Sequence, residues 1–192
     1  MAPFVGLTGG LGAGKSEALR LLGELGAATL STDAVVHELL EGDELRDALV
    51  ARLGPEVAAG RRLDRARIAE RVFVDDDARA WLEELLWPRV GQRVAAWRSE
   101  QDPARVAVVE VPLLFESGME GVFDSTIAVI ADEAVRAERA GARGHAAVAE
   151  RTGRQLTQQE KADRADFTVR NDGSFNELKQ SLSRVLGKLE EQ

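Results

Sequence analysis

The eight residues Gly9-Gly10-Leu11-Gly12-Ala13-Gly14-Lys15-Ser16 constrain this chain more than any other stretch. They satisfy the pattern G-x-x-x-x-G-K-[ST] at every fixed position. Before them stands a short apolar run, residues 4–8. After them, residues 16–25 carry Leu19, Leu22 and Leu25 at helical spacing. The glycines therefore join a strand to a helix. Glycine reaches backbone angles that turn successive N–H groups inward, and at a helix N-terminus these form a nest for an anion. Lys15 follows where it can reach β- and γ-phosphates, and the Ser16 hydroxyl where it can ligate magnesium. The bland alternative, a glycine-rich turn with a solvated lysine, does not account for the strand on one side and the helix on the other. No Asn-Lys-x-Asp or Thr-Lys-x-Asp guanine-reading motif is present, so ATP is the expected nucleotide.

Gly26 ends the first helix, and residues 27–31 read as a second buried strand with Asp33 just beyond its carboxyl end. From Asp33 to about Gln101 the text is helical, best over residues 44–53, 65–73 and 78–97, with Gly54, Pro55 and Gly60 as punctuation. Residues 105–111 form an apolar run in which Glu110 stands near the end, and residues 125–131 repeat the pattern, as parallel strands covered on both faces do. Residues 132–161 are helical and rich in alanine, arginine and glycine. Residues 166–170 suit a last strand, and residues 174 to about 189 a closing helix.

Alternating strands and helices imply a parallel sheet whose ligands bind beyond the carboxyl ends of the strands. The expected fold is α/β, a P-loop NTPase-type parallel sheet with flanking helices, a helical substrate-binding insertion and a helical lid. All of 1–192 is read as one domain. Its core is about 1–33, 104–131 and 165–192, its substrate subdomain about 34–103 and its lid about 132–164.

Composition narrows the chemistry. With 192 residues, 44% of them apolar, the chain can bury a sizeable core. The absence of cysteine excludes disulfides, thiolate metal sites and thiol catalysis. The two histidines, His37 and His145, have no ligand-type spacing, so a structural zinc site lacks support while magnesium stays open. Thirty-three acidic against 25 basic residues give a net charge of −8, which argues against nucleic acid or an anionic membrane as partner. Residues 1–8 lack the basic region of a signal peptide, and no apolar run approaches the roughly 20 residues that span a bilayer. A cytoplasmic protein is expected.

Two acids stand at expected strand ends. Asp33 is either the carboxylate that takes the proton of an incoming hydroxyl or an ordinary helix N-cap. Glu110 either holds magnesium through water or is merely solvated. Arg136, Arg139, Arg143, Arg151 and Arg154 recur among Gly141, Gly144 and Gly153, the composition of a mobile basic lid. Taken singly they equally suit a solvated face balanced by Glu133, Glu138 and Glu150. Trp81, Trp87 and Trp97 read first as core or groove residues of a helical hairpin.

Together these residues resemble the dephospho-CoA kinase family over nearly the whole chain. Leu7-Thr8 and the glycine loop are similar to the family's L-T-G-G-[IL]-[GA]-[SA]-G-K-S opening, and Val111-Pro112-Leu113-Leu114-Phe115-Glu116 to its V-P-L-L-F-E. Ser31-Thr32-Asp33 stands where the family has Asp-[AS]-Asp, so Asp33 inherits the role of base while Ser31 departs. Arg151 and Gln155 followed by Lys161, and Ala165-Asp166-Phe167 with Asn171-Asp172-Gly173-Ser174, resemble two further signatures, the second implied to pack on adenine. Arg139 and Arg143 match the arginine pair that enters the family's lid. The stretch from Arg143 to Arg151 is about three residues shorter than usual, and Trp87-Pro88 replaces His-Pro.

The resemblance implies transfer of the ATP γ-phosphate to the 3′-hydroxyl of dephospho-CoA, the last step of coenzyme A synthesis. It implies catalytic roles for Asp33, Lys15 and Arg139, and ATP contacts from Gly10, Leu11, Gly12, Ala13, Gly14, Lys15, Ser16, Glu17, Arg143, Asn171 and Gly173. Thr8, Asp33, Pro112, Leu113, Leu114 and Glu116 would meet the acceptor, and Ser16 and Glu110 the magnesium. Two alternatives stay open: a P-loop kinase for another small molecule, such as a nucleoside or a sugar acid, and a non-catalytic ATP-binding regulatory module.

Overall fold

A computed structural model describes residues 2–60, 62–142 and 155–191, with the backbone alone at residues 138 and 140–142. The chain divides into two compact units, residues 1–31 with 100–192 and residues 32–99.

The first unit is built on five parallel strands. With all strands numbered in chain order, these are β1 (Phe4–Gly9), β2 (Ala28–Ser31), β5 (Ala107–Glu110), β6 (Ser125–Ile130) and β7 (Phe167–Arg170), in the order β2-β5-β1-β6-β7. Each strand of this sheet lies where the sequence predicts one. All residues of β5 and β6 are buried, as strands covered on both faces require. Among its described residues this unit carries the helices α1 (Lys15–Glu24), α6 (Glu133–Ala142), α7 (Gln158–Arg164) and α8 (Phe175–Glu190). Leu178, Leu182, Val185, Leu186 and Leu189 make the buried stripe of α8, which joins Leu21 and Leu22 of α1 and Val5, Leu7, Val108 and Ile127 of the sheet in one core. Each such leucine stabilises the fold by about 1.5–3 kcal/mol through burial. Ser174 and Glu177 start α8 with a capping box, each side chain bonded to the other's backbone N–H.

The second unit is largely helical: α2 (Thr32–Glu41), α3 (Arg46–Leu53), α4 (Arg65–Val74) and α5 (Asp76–Glu100), the last residue of which lies in the first unit. Leu40, Leu45, Leu49, Leu53, Val57, Ile68, Ala78 and Leu86 form its core, and half-buried Trp81 packs on it. Trp87 and Trp97 are half-buried as well. A small antiparallel hairpin, β3 (Ala58–Ala59) and β4 (Arg62–Leu63), interrupts the helical text where Gly60 reads as simple punctuation. Two-residue strands are too short to show the alternation that betrays longer ones. Helix α5 continues through Pro88, whose ring removes one backbone donor at an exposed position. Among the described residues no helix is long and apolar enough to cross a membrane.

Candidate active site

The glycine loop leaves β1 at Gly9 and enters α1 at Lys15. Gly12 (φ 73°) and Gly14 (φ 93°) adopt left-handed angles that strain any side chain. At Gly14 space forbids one too, because a Cβ would collide with the Asn171 amide nitrogen. Gly14 is also the N-cap of α1 and offers no side-chain acceptor to the first N–H groups of the helix. Such N–H groups, at the positive end of a helix dipole, are where a phosphate binds. The Lys15 ammonium donates to the Gly9 carbonyl at 3.2 Å and the Gly10 carbonyl at 3.1 Å, so the side chain folds back across the loop. Ser16 is exposed. Glu17 faces Arg20, which donates to both its oxygens at 2.7 and 3.1 Å and holds its carboxyl below the usual range.

Three elements distant in sequence grip this loop. Asn171, just past β7 and 7% exposed, donates its side-chain amide to the Ala13 carbonyl at 2.8 Å. Its own carbonyl accepts from the Arg139 guanidinium at 3.0 Å, so α6, the loop and the end of β7 meet at one point. Arg136, one turn earlier on α6, donates from Nε to the Leu11 carbonyl at 2.8 Å. Gln158 of α7 lies against Gly10 and bonds the backbone of Ala131 on both sides, Nε2 to the carbonyl at 2.8 Å and Oε1 from the N–H at 3.0 Å. Gly173 is exposed, and a Cβ there would strike the Glu177 carboxylate.

The adjoining strand β5 ends in Glu110, 4% exposed, whose register neighbours are Leu7 of β1 and Ser31 of β2. The turn that follows is tied to the same edge of the sheet. The Pro112 carbonyl accepts from the Thr8 hydroxyl at 3.2 Å and from the Lys161 ammonium at 2.7 Å. Lys161 also pairs with Glu116 at 2.9 Å, the two side chains being 3% and 12% exposed. Glu116 Oε1 accepts the Leu156 N–H at 3.0 Å, while its Oε2 is buried with no hydrogen-bond partner among the described residues. Leu114 is fully buried beside Gly6, and Pro112 and Leu113 are half-buried.

Asp33 belongs to the helical unit, where it is exposed in the first turn of α2. That helix begins at Thr32, so Asp33 lies inside it instead of capping it. Arg143, Arg151, Arg154 and His145 lie outside the described residues. The spacing of the arginines carries no sign that Arg136 and Arg139 end on backbone carbonyls at the loop and at Asn171. Lys161 follows a signature, but only the structure shows its two partners.

The donors at the sheet edge, the Ser16 hydroxyl and the Glu110 carboxylate, are hard oxygens. No group of three or more histidine, aspartate or glutamate side chains able to hold a metal occurs among the described residues. Few protein oxygens, with phosphate and water completing the shell, is the donor set that suits magnesium.

A sequence model of the family described as dephospho-CoA kinase matches residues 3–177. The dephospho-CoA kinase of Protochlamydia amoebophila is 37% identical, covering 96% of this chain and 95% of its own. A solved structure from Thermus thermophilus superposes with a TM-score of 0.81 at 34% identity, covering 96% of each chain. The dephospho-CoA kinase of Campylobacter jejuni, 22% identical with a TM-score of 0.73 over 98% of this chain and 97% of its own, shares the fold. The parallel sheet, the phosphate loop and these likenesses agree, and the chain belongs to the dephospho-CoA kinase family.

Proposed function

We propose that the chain transfers the γ-phosphoryl group of ATP to the 3′-hydroxyl of dephospho-CoA, releasing ADP and coenzyme A. One observation carries this beyond family membership. The phosphate loop and the 112–116 turn leave adjacent parallel strands, β1 and β5, at the same edge of the sheet, and the Thr8 hydroxyl bonds the Pro112 carbonyl between them. A phosphate donor and an alcohol acceptor held by these two segments would lie side by side.

In this mechanism the N–H groups of residues 10–16 and the Lys15 ammonium hold the ATP phosphates. Lys15 gives up its present bonds to the Gly9 and Gly10 carbonyls to do so. Ser16 and Glu110 would hold magnesium, which neutralises charge on the phosphate oxygens. Asp33 orients the 3′-hydroxyl and takes its proton as the new O–P bond forms and the bond from the γ-phosphorus to the bridging oxygen of ADP breaks. Pro112 and Leu113, half-buried on the turn, flank the acceptor, with Glu116 fixing the turn from inside. Arg139 and Arg143 add positive charge beside the transferring group, and Asn171 and Gly173 line the adenine. The helical unit of residues 32–99 is assigned to the acceptor, and residues 132–164 to a lid. The negative net charge and the absence of a membrane-crossing helix among the described residues support small-molecule partners and a cytoplasmic setting.

The test is ADP release from ATP and magnesium with dephospho-CoA, adenosine, gluconate or no acceptor, for the wild-type chain and Asp33→Asn. Turnover confined to dephospho-CoA, lost in the variant while ATP binding survives, is the expected result. Turnover of another acceptor would reassign the substrate. No turnover with any acceptor would overturn the kinase assignment.

A further inference from the structure

Arg136 meets the phosphate loop at three successive residues. Its Nε donates to the Leu11 carbonyl at 2.8 Å. A Cβ placed on Gly10 would lie 3.1 Å from that Nε, and one on Gly12 would lie 2.5 Å from the Arg136 carbonyl oxygen. The side chain, 19% exposed, is braced by Glu133 Oε2 at 2.6 Å from its other arm. Residues 10–12 therefore rest on Arg136, side chain at one end and backbone at the other.

The bonded carbonyl sits in the peptide unit between Leu11 and Gly12. A peptide unit is planar and trans, so its C=O and N–H point in opposite directions. Holding the Leu11 carbonyl on α6 turns the Gly12 N–H away from α6. The flanking residue is a glycine with φ 73°, for which rotation of the peptide plane costs little unless something restrains it. A rotated plane would offer phosphate a carbonyl oxygen in place of a donor. We propose that Arg136 is a positioning residue which pins the Leu11–Gly12 peptide and keeps the Gly12 N–H among the anion-binding donors, without itself contacting the nucleotide. The proposal rests on the loop being the ATP site.

Side-chain topology supplies the test. The amide nitrogen of glutamine stands at the same atom along the side chain as arginine Nε, so Arg136→Gln keeps the donor and removes the charge. Arg136→Met removes both. Mg-ATP binding is measured by isothermal titration, acceptor KM from ADP release, and apo-protein melting by circular dichroism. Arg136→Met should weaken ATP about tenfold, the effect of one lost charge-assisted hydrogen bond, with acceptor KM unchanged and, because the bond exists without ATP, a melting temperature lowered by a few degrees. Arg136→Gln should stay within about threefold of wild type. If Arg136→Met does not fold, Arg136→Lys replaces it: charge is kept while a carbon takes the Nε position, and ATP affinity should fall below that of Arg136→Gln. Equal weakening in Gln and Met, or Lys binding better than Gln, would show that the charge itself acts on ATP and overturn the proposal. Wild-type affinity in Arg136→Met would overturn it while leaving the ATP site intact, and a wild-type chain that binds no ATP would overturn both.

Discussion

The segments that leave β1 and β5 are secured by opposite means. The glycine loop is held by uncharged acceptors, its Ala13 carbonyl taking a bond from the buried Asn171 amide and its Leu11 carbonyl one from the partly buried Arg136 guanidinium. The 112–116 turn is held from inside, by an ion pair between Lys161 and Glu116 in which the lysine side chain is 3% exposed. A loop that must open its N–H groups to a charged ligand gains from tethers on its carbonyls alone. A turn of apolar residues gains from a buried anchor that fixes its path but is costly to break, since removing one buried charge strands the other.

The largest test of that difference is Lys161→Met. It leaves the Glu116 carboxylate buried without its cation and should cost about 3–5 kcal/mol in urea unfolding. Adding Glu116→Leu should restore most of the loss, because an apolar pair of similar size often serves as well as a buried ion pair; no recovery in the double variant would mean that the pair is not what anchors the turn. On the loop side, Asn171→Ala should cost only about 1–2 kcal/mol, the worth of one buried hydrogen bond, and should weaken ATP binding in titration. A stability loss equal to that of Lys161→Met would erase the contrast between the two segments.

Smaller effects sharpen it. Thr157 caps α7, the helix that carries Lys161, through a capping box with Glu160. Thr157→Ala should lower stability by about 1 kcal/mol. The Thr157 N–H and hydroxyl hold the Glu160 carboxyl below its ordinary range. Its contribution is thus complete above the ordinary carboxyl pKa and fades as pH falls below it, through the depressed folded value. The variant's deficit, followed by thermal melting across pH, should shrink toward acid. Smallest is Thr8→Val, about 0.5 kcal/mol, because the Pro112 carbonyl keeps its bond from Lys161 when the threonine hydroxyl is lost.

The sheet was legible because parallel strands covered on both faces are near-continuously apolar, as residues 106–109 and 127–131 are. The phosphate loop was legible because its backbone angles demand glycine at set positions. The hairpin at residues 58–63 was not, being too short for a periodic signal. Nor were the partners of Arg136, Arg139 and Lys161, which read in the sequence as members of a charge run or a signature.

By itself the sequence determined the α/β class, the phosphate loop and the identity of the acids that follow β2 and end β5, since each depends on residue type and local spacing. Tertiary structure alone decided that Asn171 rests on Ala13, 158 residues away, that Arg136 holds Leu11, 125 residues away, and that Lys161 closes on Pro112 and Glu116. Such contacts have no local signature. They arise when parallel strands and their crossovers bring distant segments to one edge of a sheet, and only there does a side chain acquire its partner.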